Sequence, residues 1–222
     1  MVAGRLRSTA TGLLTALVAI VAGAACEPSP PPTVSPPLYL SVVSEVTAAE
    51  LGSSWRPGCP VGPENLRTVW VTHHDMAGEV VWGSLVVHRN RAQDVVAVFE
   101  QLYDAGFPIA RMEPVDVFGA SDARSMAANN TSAFNCRTVA GTNRWSEHAY
   151  GRAIDINPIQ NPWVAGDVVD PPAGEPYVGR APAPGLIRDG DVVVRAFEAA
   201  GWGWGGHWSS SKDYQHFSTT GR

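Results

Sequence analysis

The hydrophobic pattern is most regular between residues 66 and 105. Leu66 to His73 has period two, with Val69 and Val71 on one side and Trp70 and Thr72 on the other, which predicts a strand. Glu79 to His88 is a second strand-like run, carrying Val80, Val81, Trp82, Leu85, Val86 and Val87. Asp75 to Gly78 lies between them and suits a turn, so the pair predicts a hairpin. The period then changes. Val95, Val98, Phe99 and Leu102 recur at i, i+3, i+4 and i+7, the stripe of an amphipathic helix running to about Ala105. Asn90-Arg91-Ala92-Gln93 has the spacing of a capping box at its start, and Gly106 is a stop at its end.

The flanking segments are patterned less strongly. Residues 44–55 predict a short helix with Thr47 as cap and Trp55 as anchor, and Pro108 to Phe118 predicts a third strand through Ile109, Met112, Val115 and Val117. Asp189 to Ala200 predicts a helix capped by Asp189 or Asp191, with Val193, Ala196, Phe197 and Ala200 inward. Gly201 to Trp208 predicts a glycine/aromatic strand in which Trp202, Trp204 and Trp208 share one parity. Two tracts lack periodicity: the polar segment 120–144 and the proline-rich segment 157–186. Irregular stretches of that length inside a compact domain usually serve a site, and the second is a candidate wall of a substrate cleft.

Composition adds an address. The chain has 222 residues, 45% hydrophobic and 17% charged, which suits a globular domain. Residues 1–26 read as an export signal: Arg5 and Arg7, an apolar run from Leu13 to Val21, then Ala22-Gly23-Ala24-Ala25. Cys26 directly follows and resembles the lipidated cysteine of a bacterial lipobox, with Gly23 where a Leu is usual. Ordinary cleavage after Ala22-Gly23-Ala24 is the alternative. Residues 27–38 hold six prolines between Glu27 and Pro37 and predict an extended tether, leaving residues 39–222 as one domain. Formal charge is −5, and it becomes more acidic once Arg5 and Arg7 are removed, which argues against a general nucleic-acid binder. With Cys26 lipidated, Cys59 and Cys136 remain as a pair for a disulfide in an oxidising compartment.

The chemistry lies in two compact motifs. Ser146-Glu147-His148-Ala149-Tyr150-Gly151-Arg152-Ala153-Ile154-Asp155 offers an imidazole and a carboxylate with a glycine between them that permits a sharp turn. Asp213-Tyr214-Gln215-His216 offers a second imidazole and a second carboxylate. His148, Asp155 and His216 are enough for the three protein ligands of a catalytic zinc site, and Asp213 is then the proton carrier. A His bonded to an Asp in the core is the bland reading of either motif alone; four convergent groups argue for chemistry. Arg137 and Arg124 are candidate cations for a substrate carboxylate or a developing oxyanion, with Arg137 favoured because a disulfide at Cys136 would fix its backbone. Ser146, Trp204, His207 and Trp208 are candidate substrate contacts. Strand histidines His73, His74 and His88 are more often half-exposed polar residues than ligands.

The form Ser-x-His-x-x-Gly-x-Ala-x-Asp at 146–155, followed by Asp-x-x-His at 213–216, resembles the family of zinc D-alanyl-D-alanine carboxypeptidases and L-alanyl-D-glutamate endopeptidases, whose fold is shared with the hedgehog signalling domain. Asn129 to Arg137 and Trp202 to Trp208 resemble the exported actinobacterial branch. The resemblance covers about Trp55 to the C-terminus. It implies an α+β domain with a small antiparallel sheet and flanking helices, one Zn²⁺ per chain on His148, Asp155 and His216, and Asp213 as acid/base. It implies peptidoglycan stem peptides as substrate, hydrolysed outside the cytoplasmic membrane of a bacterium, with the membrane touched only through a lipid anchor on Cys26. A monomer is expected. The alternative function is a non-catalytic, zinc-containing module that binds cell-wall peptides.

Overall fold

The computed structural model describes residues 1–2 and 38–222. Most of the export segment, Cys26 and most of the proline tether fall outside the described residues. The elements form an α+β arrangement in which all strand pairs within the sheets are antiparallel.

The hairpin is where the pattern puts it. β2 (Leu66–His74) and β3 (Val80–His88) pair in register Val69↔Leu85, and the Asp75 carboxylate closes the turn by accepting from the backbone N–H of Ala77 and Glu79. Val69 and Val71 are fully buried and Trp70 is exposed; Thr72, expected beside it, is buried because its hydroxyl accepts from Leu40 N. Leu40 leads directly into a strand the pattern did not announce, β1 (Ser41–Glu45), which adds to the free edge of β2. The helix expected over 44–55 is correspondingly short. α1 (Ala48–Leu51) begins after Thr47, which makes a full capping box with Glu50, and a 3₁₀ turn carries the chain to Ser54.

α2 (Ala92–Asp104) buries Val95, Val98, Phe99 and Leu102, the expected stripe, and Gly106 follows at φ +64°. Its capping box is absent: the N-cap is Arg91, with no side-chain bond, and Asn90 turns to His88 instead. The strand expected over 108–118 is also absent. Ile109 and Met112 are buried, but the segment makes only single bridges, and Pro114 leads into a 3₁₀ turn at Val115–Phe118, ended by Gly119 at φ +61°. An inward-facing apolar run had imitated a strand where no neighbour continues the ladder.

Within the polar tract lies a short helix, α3 (Asp122–Ala127), started by the Ser121 hydroxyl accepting from Arg124 N. The proline-rich tract contains a small hairpin, β5 (Trp163–Ala165) and β6 (Val168–Asp170). α4 (Val192–Ala199) is capped by Asp191; Val193, Ala196 and Phe197 are buried, and Ala200 is half-buried. The glycine/aromatic segment gives only the two-residue β7 (Gly203–Trp204) before turning through a 3₁₀ step at Gly205–His207.

Two further sheets carry the chemistry. β4 (Ala153–Asp155) and β7 flank β9 (His216–Ser218), while β6 and β8 (Lys212–Asp213) flank β5. The main core packs α2 and α4 between these strands and the hairpin, with Phe197 stacked on Phe217 at 4.2 Å. A second cluster of Val46, Leu51, Leu66, Val86, Phe134 and Cys136 surrounds the Cys59–Cys136 disulfide, with Trp55 packed against it. Among the described residues, no helix is long and apolar enough to cross a membrane.

Candidate active site

His148 enters from a 3₁₀ turn at Glu147–Tyr150. Ser146 caps that turn through its hydroxyl, which accepts from His148 N, and Gly151 ends it at φ +65°. The turn requires glycine twice over. Its φ is left-handed, and a Cβ there would lie 2.6 Å from His88 N, which donates to Gly151 O. The reversal sends the chain into β4, and the register Asp155↔His216 puts two of the candidate ligands directly opposite each other.

The irregular tract 129–137 is the floor on which both motifs rest. Ser132 pairs with Asp155 through both backbone bonds, Asn135 N donates to His148 O, and Ser146 N donates to Arg137 O. Ala133 O lies 2.6 Å from His148 Nδ1. These are backbone groups, so no residue type in the sequence announces them.

The three side chains meet in a buried cluster. Asp155 Oδ2 is 3.1 Å from His148 Nε2, Asp155 Oδ1 is 2.9 Å from His216 Nδ1, and the two ring nitrogens are 3.3 Å apart. The outer nitrogens fix the tautomers. His148 Nδ1–H donates to Ala133 O, and His216 Nε2–H donates to Arg222 O at 3.2 Å. Each ring therefore turns a lone pair inward, toward a carboxylate. Two lone pairs and an anion within 4.8 Å of one another, with both protons directed outward, fit a divalent cation. Without one, a proton is the substitute. Burial lowers the His216 pKa, but the hydrogen bond and charge of Asp155 outweigh it and raise it to about 9. Burial works against ionisation of Asp155, yet His148 and His216 hold its carboxyl well below the ordinary range.

Asp213 stands beside this cluster on β8, which pairs with β5 in register Trp163↔Asp213. The residue as a whole is half-exposed, but its Oδ1 is occluded and has no hydrogen-bond partner. Burial chiefly, with the charges of Asp155 and Asp122, raises its carboxyl to about 7 against the pull of His216. The Gln215 amide oxygen and Arg137 Nε are likewise buried without partners. Gln215 Nε2 reaches Met126 Sδ on α3 at 3.6 Å, and Arg137 pairs with Asp122 on the same helix at 2.8 Å. Sequence reasoning passed over Asp122; its signal was the Ser121-Asp122 start of a short helix.

The other singled-out residues are distributed unevenly. Arg124 is exposed on α3, its guanidinium over Gly119. Trp208 is half-buried with its ring 5.6 Å from that of His216. Trp204 is buried and gives its indole N–H to Tyr214 O. His207 lies with Asp189 at 2.8 Å, apart from the cluster of ligands. His73, His74 and His88 take no part in it. Gly205 was not singled out, yet a Cβ there would meet Asp213 O at 2.5 Å and Asp213 Cβ at 2.8 Å, so this glycine sets how closely the chain passes the carboxylate.

Residues 140–219 match the family model described as D-alanyl-D-alanine carboxypeptidase. The matched stretch holds His148, Asp155, Asp213 and His216, and it excludes Arg124, Arg137 and both disulfide cysteines. No curated protein and no solved structure matches the chain.

Proposed function

We propose that this protein is a zinc-dependent peptidase that hydrolyses a peptide bond in peptidoglycan stem peptides. The observation that carries the reading is an unpaired, occluded Asp213 oxygen beside a buried His148–Asp155–His216 cluster whose lone pairs all face inward. The family match over residues 140–219 supports a peptidase acting on D-Ala-D-Ala peptides. His148, Asp155 and His216 would hold the metal. When bound, zinc supplies Lewis acidity toward the peptide carbonyl and makes hydroxide available at neutral pH.

The chain's own groups do the rest. Asp213 is suited to accept a proton from the attacking water and return it to the leaving amine, since its Oδ1 is occluded beside the cluster and has no partner of its own. Ala133 O and Arg222 O keep the two imidazoles in their working tautomers. Arg137 is the better of the two candidate arginines for a substrate carboxylate or oxyanion, since it is half-buried and held by Asp122, whereas Arg124 is exposed. Trp208 is the aromatic candidate nearest a ligand. An export segment at 1–26, lipidation of Cys26 and a tether at 27–38 would deliver residues 39–222 to the wall, and the Cys59–Cys136 disulfide suits that compartment.

The test is mass spectrometry of muropeptides ending in D-Ala-D-Ala after incubation with zinc-loaded protein, with Asp213→Asn as control. Loss of one D-Ala assigns a carboxypeptidase, and release of an L-Ala fragment assigns an endopeptidase. No cleavage by protein holding one zinc per chain would overturn the enzymatic reading in favour of a binding module.

A further inference from the structure

A second concave site lies on the other side of the strand that carries Asp213. Lys212 and Tyr214, its neighbours in the chain, line an open cavity together with Arg180, Arg188, Trp204 and His207. In extended backbone, side chains next to each other point to opposite faces, so Lys212 looks away from the direction taken by Asp213.

The charge of this cavity runs against that of the chain. The protein carries −5 overall, yet the cavity wall has three cations, Arg180, Arg188 and Lys212, against one carboxylate, Asp189. Asp189 is already engaged, with its Oδ1 2.8 Å from His207 Nε2. Among the described residues, none of the three cations has an ion-pair partner.

The cations are prepared to different degrees. Arg180 is fixed: its guanidinium lies 4.2 Å from the centre of the Tyr214 ring and donates to Gln160 O, Asn161 Oδ1 and Ile187 O. The acceptors of its terminal nitrogens are neutral oxygens and its Nε is buried without a partner, so no carboxylate is bonded to the guanidinium and Asp191 reaches it only through its field. Burial chiefly lowers its pKa to about 10, against the opposing pull of Tyr214 and Asp191. Lys212 uses one of its three donors, on Trp208 O at 2.6 Å, and two remain. Arg188 is exposed, and its guanidinium has no hydrogen-bond partner among the described residues. A fixed positive charge with an aromatic wall, beside a lysine and an arginine with free donors, matches a small oxyanion.

We propose that this cavity is an oxyanion-binding site, for a carboxylate or phosphate group, in which Lys212 and Arg188 donate the hydrogen bonds and Arg180 supplies fixed charge. It is separate from the His148–Asp155–His216 cluster and does not depend on peptidase activity.

The experiment is titration of the purified chain, stripped of metal so that no anion can ligate zinc, with inorganic phosphate and separately with succinate at low ionic strength. Heat and tryptophan fluorescence are followed, since Trp204 lines the site. Saturable binding at one site is expected, weakened at least tenfold by Arg188→Ala and by Lys212→Gln and unchanged by Arg67→Ala at the distant β1–β2 edge. Tighter phosphate binding would point to a phosphodiester polymer as the source of the group, and tighter succinate binding to a peptide carboxylate. Absence of saturable binding of either probe, or equal weakening by Arg67→Ala, would overturn the proposal. Arg188 is exposed, so its variant tests the site even if Lys212→Gln disturbs β8.

Discussion

The guanidinium of Arg137 lies 2.8 Å from the carboxylate of Asp122, in the first turn of α3, and this pair joins the floor of the site to the helix beside it. Asp122 thereby acts in two ways. It orients the half-buried Arg137, and its charge helps raise Asp213. Asp122→Ala is expected to lower kcat about 10- to 100-fold, the range for loss of an orienting partner, with zinc content unchanged. Steady-state kinetics beside metal analysis checks this. An unaltered kcat would leave Arg137 and Asp122 as a structural ion pair only.

Gly205 offers a sharper probe of Asp213. An added Cβ meets the Asp213 backbone, which cannot swing aside as a flexible side chain would. Gly205→Ala is expected to reduce turnover at least about tenfold, since one misplaced ångström in a catalytic group can cost about a hundredfold. His148, Asp155 and His216 sit on other elements, so one zinc per chain should remain. Loss of zinc together with activity would place Gly205 in the metal site instead.

The metal-free protein should lose stability as pH rises. Asp213 has a raised pKa of about 7, so the folded state resists its ionisation and is penalised increasingly from about pH 4 to 7. His216 is raised to about 9, so the stability its proton gives is complete below about pH 6.5 and is lost through pH 9. A zinc ion bound at His216 would displace that proton, and its stabilisation should grow across the same range. Thermal melts with and without chelator at pH 6, 7.5 and 9 should show a widening gap. In the chelated protein, Asp213→Asn should melt higher than the parent at pH 8, with a smaller difference at pH 5.

The disulfide joins cysteines 77 residues apart. By chain entropy a loop of that size is worth about 4.5 kcal/mol, with about 2–4 commonly realised. Replacing both Cys59 and Cys136 by Ser should lower the unfolding free energy by about 2–4 kcal/mol in urea. Arg137 adjoins Cys136, so kcat should fall more than zinc affinity.

Long elements with one clear period were readable from the chain: the β2–β3 hairpin, the buried stripe of α2 and the inward face of α4, whose cap the sequence left between Asp189 and Asp191. The four side chains that the structure brings together were readable because each is a chemically distinctive residue in a short motif. What escaped was short or made of backbone. β5 and β8 are three and two residues long, too brief for any period to show, yet their pairing sets the position of Asp213. Ala133 matters through a carbonyl that any residue possesses. Residues 108–118 misled in the opposite direction, since burial of Ile109 and Met112 needs no strand.

The floor beneath the cluster also bears on where this protein can be cut. The family match begins at residue 140, and every candidate ligand lies after it. Yet His148 takes its tautomer from Ala133, Asp155 is zipped to Ser132, and Gly151 is latched by His88. A fragment starting at residue 140 would carry all the donor atoms but would lack these three supports. The borders of resemblance are therefore not the borders of a self-sufficient piece, because part of what aims the cluster is written upstream of the matched stretch.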